Sequence, residues 1–145
     1  MRRGDELVHK VHCSFYEEDG SLSKECRYRK YIDGCLEKID GKKLLLITTG
    51  GSREGQNQSD VEWCQENFKD YNFIMSPARN DMEDFALMTK CDSNIVGLRS
   101  TFGWWAAFLN KTKDCNIFCV NLSPKLNGEK VPVGYWPDNF IAMEV

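Results

Sequence analysis

The sequence predicts an α/β domain, a parallel sheet with helices on both faces. Three observations carry that expectation. Short apolar runs alternate with amphipathic stretches every ~10–20 residues, the rhythm of βαβ units. The apolar runs Lys43–Thr49 (KLLLITT) and Cys115–Leu122 (CNIFCVNL) are nearly continuous, as in strands covered on both faces. Three helical stretches open on Ser59, Asn80 and Ser100-Thr101, all favourable N-caps.

Taken in order, the chain opens abruptly. Met1-Arg2-Arg3-Gly4-Asp5 puts two arginines and a Gly-Asp turn at its start, with no strand leading in. Paired arginines suit bidentate contacts to phosphate, although charged residues near a start are also commonplace. His9 and His12 sit in a polar stretch and read as surface residues. Residues 13–25 read as a loop turning at Asp19-Gly20. Glu25–Ile39 reads as an amphipathic helix, because Tyr28, Ile32, Cys35, Leu36 and Ile39 recur at helical spacing. Gly34 interrupts it and Asp40-Gly41 ends it.

Lys43–Thr49 is the best strand. The polar loop Gly50–Gln58 follows, and its Gly50-Gly51 matches neither a P-loop nor a GxGxxG. Ser59 with Glu62 forms a capping box for a helix carrying Val61, Cys64 and Phe68. Tyr71–Met75 is a second strand, and Asn80 caps a helix running to Cys91 with Glu83 at the box position. Asn94–Leu98 is a third strand. Ser100 and Thr101 then start a helix whose Phe102, Trp105 and Leu109 share one face while Trp104 and Phe108 line the next. A helix apolar on that many faces is expected to be buried on several sides. Its N-terminus opens where the strand delivers it, a natural phosphate site, although most such capped turns bind nothing. Cys115–Leu122 is a fourth strand. The Pro- and Gly-containing tail from Ser123 reads as a loop, with Phe140–Met143 a short closing element.

Bulk properties narrow the function. The chain has 145 residues, 41% hydrophobic and 28% charged, which describes one domain over 1–145. Net charge is -3, so a broad nucleic-acid footprint is not expected. No apolar run approaches the ~20 residues of a membrane span. Seven cysteines without a CxxC pair, beside only two histidines, argue against structural zinc. That odd count fits an oxidising compartment, and the sequons at Asn57, Asn110 and Asn121 lean the same way as candidate glycosylation sites.

In open α/β sheets, ligands gather beyond the carboxyl ends of the strands, where Thr48, Thr49 and the Arg99–Ser100 turn fall. Here the motifs resemble a family. MRRGD at 1–5 looks like the end of the His-x-Arg-Arg-Gly-Asp motif of glycosyltransferase family 11, the α-1,2-fucosyltransferases of the animal and nematode kind. LLLITT followed by SDVEWCQENF, with Trp63 and Cys64, resembles the second motif. DFALMTKC and STFGWWAAFL resemble the third, including Thr101–Ala107. The blocks occur in order across most of residues 1–122.

The resemblance implies the Rossmann-like, C-terminal donor-binding half of a GT-B transferase, lacking its leading strand, its first domain and its membrane anchor. It implies inverting, metal-independent transfer of fucose from GDP-fucose to the 2-hydroxyl of a galactose-terminated glycan, with no cofactor, on the lumenal side of the Golgi membrane. Arg3, and secondarily Arg2, would neutralise charge building on the leaving GDP. Ser100, Thr101 and the backbone at Phe102 would hold phosphate oxygens. Asp84 would accept from the guanine N1–H and N2–H₂ edge, or serve only as a first-turn helix acid. Asp5 is the candidate general base, or a residue that holds its own loop. Trp104 and Trp105 read as core rather than as a sugar platform. Two other readings stay open: a catalytically inactive remnant that binds GDP-sugar, and an unrelated nucleotide-binding module.

Overall fold

The computed structural model describes residues 26–48, 58–78, 80–97, 100–120 and 134–144. Four helices and five strands alternate through them: α1 (Arg27–Glu37), β1 (Leu45–Ile47), α2 (Gln58–Asn67), β2 (Phe73–Met75), α3 (Asp81–Met88), β3 (Ser93–Ile95), α4 (Thr101–Phe108), β4 (Asn116–Val120) and β5 (Ile141–Met143). Every strand pairing is parallel, with Leu45 opposite Phe73, Ser93 opposite Asn116 and Phe118 opposite Ile141. The domain is therefore the expected α/β, Rossmann-like fold.

β4 shows why its sequence is continuously apolar. Phe118 and Val120 point into a core shared with α1, while Ile117 and Cys119 point into a second core with Val96, Ala107 and Phe140. Alternate residues of one strand thus serve opposite faces, so every position must be apolar. The first core gathers Tyr28, Tyr31, Ile32 and Cys35 of α1 with Cys64 of α2, Phe68 and Ile47. Val96 N–H donates to the Phe118 carbonyl at 3.0 Å, continuing the ladder one residue past β3. Gly41 adopts φ +76°, the left-handed turn that separates α1 from β1. The interruption at Gly34 also has a reason: a Cβ there would meet the Met143 methyl at 3.3 Å, so the glycine lets α1 approach β5.

Among the described residues the strands pair in two sets, β1-β2 and β3-β4-β5. Two expectations need correction. Ser59 lies inside α2, whose first residue is Gln58, so the capping box does not mark its start. And α4 is not buried on several sides: Trp105, Phe108 and Leu109 are about half exposed. Only the small stripe Gly103, Ala106 and Ala107 is fully buried, and small side chains let the helix lie close against its neighbours while the large ones splay outward.

Candidate functional site

The site grows from the carboxyl edge of β3. Beyond Ile95 the chain passes the buried Val96 and Gly97 and re-enters helix at α4. Ser100 is the N-cap, its Oγ accepting from Gly103 N–H at 3.0 Å while its carbonyl accepts from Trp104 N–H at 2.8 Å. Gly103 is what lets this cap close. A Cβ there would stand 3.2 Å from Ser100 Oγ and 3.4 Å from Ser100 Cβ. Thr101 follows on the surface.

α3 begins at the same edge. Asn80 caps it with two bonds of 3.0 Å, from Met82 N–H and Glu83 N–H. Its first turn carries Asp81, Glu83 and Asp84, whereas the first turn of α4 carries no acid. Carboxylates offset the positive end of the α3 dipole, and none does so at α4, which leaves the α4 terminus the one suited to an added anion. Phe85 and Phe102 join the two first turns edge to face, with ring centroids 5.2 Å apart. Asp84 is 4% exposed at that junction. Phe85, Thr101, Phe102, Trp105 and Leu109 line an open recess of about 520 Å³ along it.

The structure therefore brings Asp84, Ser100, Thr101 and Phe102 to one edge. It also divides the tryptophan pair. Trp104 packs on the second core, donates from Nε1 to the Tyr135 carbonyl at 3.2 Å, and stacks on Phe108 at 5.1 Å. Trp105 is 52% exposed and lines the recess, so the core reading holds for Trp104 alone. Arg2, Arg3, Asp5, Asn57 and Asn121 lie outside the described residues. Among the described residues no three His, Cys, Asp or Glu side chains gather to hold a metal, and no helix is long and apolar enough to cross a membrane.

Two supports of this edge carry no local sequence signal. Tyr31 of α1, 1% exposed, places its hydroxyl 3.0 Å from both the Val96 and the Phe118 carbonyls. It thereby ties α1 to the point where the chain leaves β3 for the turn into α4. Burial, with lesser effects from Cys35 and Cys119, pushes the phenol well above its ordinary range, so it stays a neutral donor. Beneath the edge, Asn110 donates to the Cys91 carbonyl at 2.8 Å and to Asn94 Oδ1 at 2.6 Å, and its own oxygen accepts from Thr112 N–H. Asn94 in turn donates to the Met88 carbonyl at 2.9 Å. Both amide hydrogens of the Asn110 sequon are thus engaged in joining the ends of α3 and α4. Farther off, the buried Arg29 bonds Asp70 at 3.2 Å and lies 4.3 Å over the Tyr71 ring, while Tyr71 donates to Asp33 at 2.6 Å. This network staples α1 to the approach to β2.

A parallel α/β domain with a capped helix N-terminus at its carboxyl edge has its ligand-binding crevice at that edge and suits a phosphate-bearing ligand. The family model for glycosyl transferase family 11 matches residues 23–130, and the chain belongs to that family. An Escherichia coli protein, "O-antigen biosynthesis glycosyltransferase WbnK", is 28% identical over 118 residues, covering 79% of this chain and 34% of its own length. The chain thus spans about a third of that relative. A "Nitric oxide synthase" of Anopheles stephensi is 32% identical over 74 residues, 49% of this chain but 6% of that protein, too small a part to carry a functional argument. No solved structure matches.

Proposed function

We propose that this chain is the donor-binding domain of an α-1,2-fucosyltransferase, which transfers fucose from GDP-fucose to the 2-hydroxyl of a terminal galactose with inversion and without a metal. The observation that carries this reading is the carboxyl-edge pair of helix N-termini in a family 11 chain: α3 bearing Asp84, and α4 with its Ser100 cap and acid-free first turn. The diphosphate lies at the α4 terminus against Ser100, Thr101 and the Phe102 backbone, where N–H groups and dipole favour negative charge. The guanine lies toward α3, where Asp84 accepts from its N1–H and N2–H₂ edge, a pattern adenine does not offer. Arg3 and Arg2 neutralise the leaving diphosphate, and Asp5 takes the proton from the acceptor hydroxyl. Incubating the chain with GDP-fucose and a galactose-terminated oligosaccharide, followed by mass spectrometry of the acceptor, tests transfer. A product heavier by one deoxyhexose, α-1,2-linked, supports the reading. GDP binding without product would reduce it to a donor-binding module that does not turn over.

A further inference from the structure

Six cysteines fall among the described residues, all as free thiols. Cys26, Cys35, Cys64 and Cys119 are buried, while Cys91 and Cys115 are partly exposed. These two are also neighbours. Cys91 lies just past the Thr89 cap that ends α3, and Cys115 immediately precedes β4. Ser93 of β3 pairs with Asn116 of β4, so Asp92 and Cys115 enter the ladder side by side, with Cys91 one residue farther back. Ladder spacings of ~4.8 Å across and ~3.3 Å along set the two cysteine Cα atoms roughly 6 Å apart, inside the ~4.4–6.8 Å that a disulfide spans. A direct contact agrees. Cys115 Sγ stands 3.7 Å from the Cys91 carbonyl oxygen. A carbonyl oxygen is about 2.4 Å from its own Cα, so that sulfur lies within about 6 Å of the Cys91 Cα. Burial first, and then the nearby Cys91 and Asp92, raise the Cys115 thiol above its ordinary range.

We infer that Cys91 and Cys115 are a dithiol pair that closes to a disulfide when a small-molecule disulfide is present, tying the end of α3 to the start of β4. One protein thiolate attacks the oxidant, releases one small thiol and is left as a mixed disulfide. The second protein thiolate attacks the protein sulfur of that intermediate and releases the other small thiol. The protein pair is oxidised by two electrons, and the oxidant takes up those electrons and both protons.

Closing the bond strands no polar group. Cys91 Sγ donates to the Leu87 carbonyl at 3.5 Å, and Cys115 Sγ donates to the Cys91 carbonyl, to Asn94 Oδ1 at 3.5 Å and to its neighbour's Asn116 carbonyl at 3.9 Å. Thiols are weak donors, so turning both about χ1 gives up little. The Leu87 carbonyl keeps the Lys90 N–H at 3.0 Å. The Cys91 carbonyl and Asn94 Oδ1 keep the Asn110 amide at 2.8 and 2.6 Å. Residues 91–115, which the bond would close into a loop, carry β3, the turn after it and all of α4. Oxidation therefore shortens the unfolded chain's freedom over that stretch, whatever the turn binds.

The test uses the whole 145-residue chain, oxidised with glutathione disulfide at about pH 8.5 to supply thiolate, blocked with N-ethylmaleimide and digested with trypsin without reduction. The expected main product joins CDSNIVGLR to DCNIFCVNLSPK, with fragment ions placing the bond on Cys115 rather than Cys119. The oxidised chain should melt about 5–10 °C above the reduced one, and dithiothreitol should reverse the gain. Cys91→Ser and Cys115→Ser should each abolish it. A main product that links Cys91 to any other cysteine, glutathione left on both thiols, or no linked peptide would overturn the inference. So would a Cys91–Cys115 bond that leaves the melting temperature at or below its reduced value.

Discussion

Replacing Tyr31 by Phe removes one oxygen and nothing else. The ring keeps its place 6.0 Å from Tyr28, so no cavity forms and the packing contribution is unchanged. The hydroxyl lies 3.0 Å from two carbonyls, but they are not equally dependent on it. The Phe118 carbonyl also accepts from Val96 N–H, whereas the Val96 carbonyl loses its Tyr31 partner. One buried hydrogen bond is lost and one buried acceptor is desolvated, for a cost of about 1–2 kcal/mol. For a domain of this size that is a fall of about 3–6 °C in melting temperature. Urea unfolding measures the energy directly, with the midpoint falling and the slope unchanged. Amide exchange should accelerate at Val96 and Gly97 more than along α2. A change within 0.3 kcal/mol, estimated against the typical range for neutral surface substitutions, would refute the claim that Tyr31 braces the exit from β3.

Three further outcomes follow from the same contacts. Gly103→Ala sets a Cβ 3.2 Å from Ser100 Oγ, and opening that cap should cost about 1 kcal/mol by urea unfolding despite the better helix propensity of alanine. Asn110→Ala strips donors from the Cys91 carbonyl and Asn94 Oδ1, for a loss of about 1–3 kcal/mol; on expression through a secretory pathway, glycopeptide mass spectrometry should find Asn110 unmodified, since a glycan would consume one of two engaged amide hydrogens. Burial pushes the Cys35 thiol up from 9.0 to about 12 and the Cys119 thiol from 9.0 to about 11. These groups hold their protons in the folded state after the unfolded chain has lost them. Their contribution is full below pH 9 and is lost as pH rises through that window, so urea midpoints should fall between pH 9 and 11.

The elements were legible because their signals are local. Asn80 and Ser100 announce helix starts, and the unbroken apolar run of β4 announces a strand with two covered faces. What the sequence concealed depends on distant partners. Tyr31 looks like any apolar-face residue until Val96 and Phe118, 65 and 87 positions away, arrive at its hydroxyl. Asn110 reads as a sequon because nothing nearby shows that Cys91 and Asn94 engage its amide. The α4 helix misled for a different reason: apolar character on every side predicts burial, but Gly103, Ala106 and Ala107 take the inner face and turn Trp105 outward.

Donor recognition is proposed to rest on a guanine-selective diphosphate site between the first turns of α3 and α4. Isothermal titration of the chain with GDP and with ADP tests it most directly, with Asp84→Asn as the paired variant. GDP should bind at least tenfold more tightly than ADP, and the variant should lose most of this preference while keeping affinity for the diphosphate. No heat with either nucleotide, or equal affinity for both in the unsubstituted chain, would contradict it.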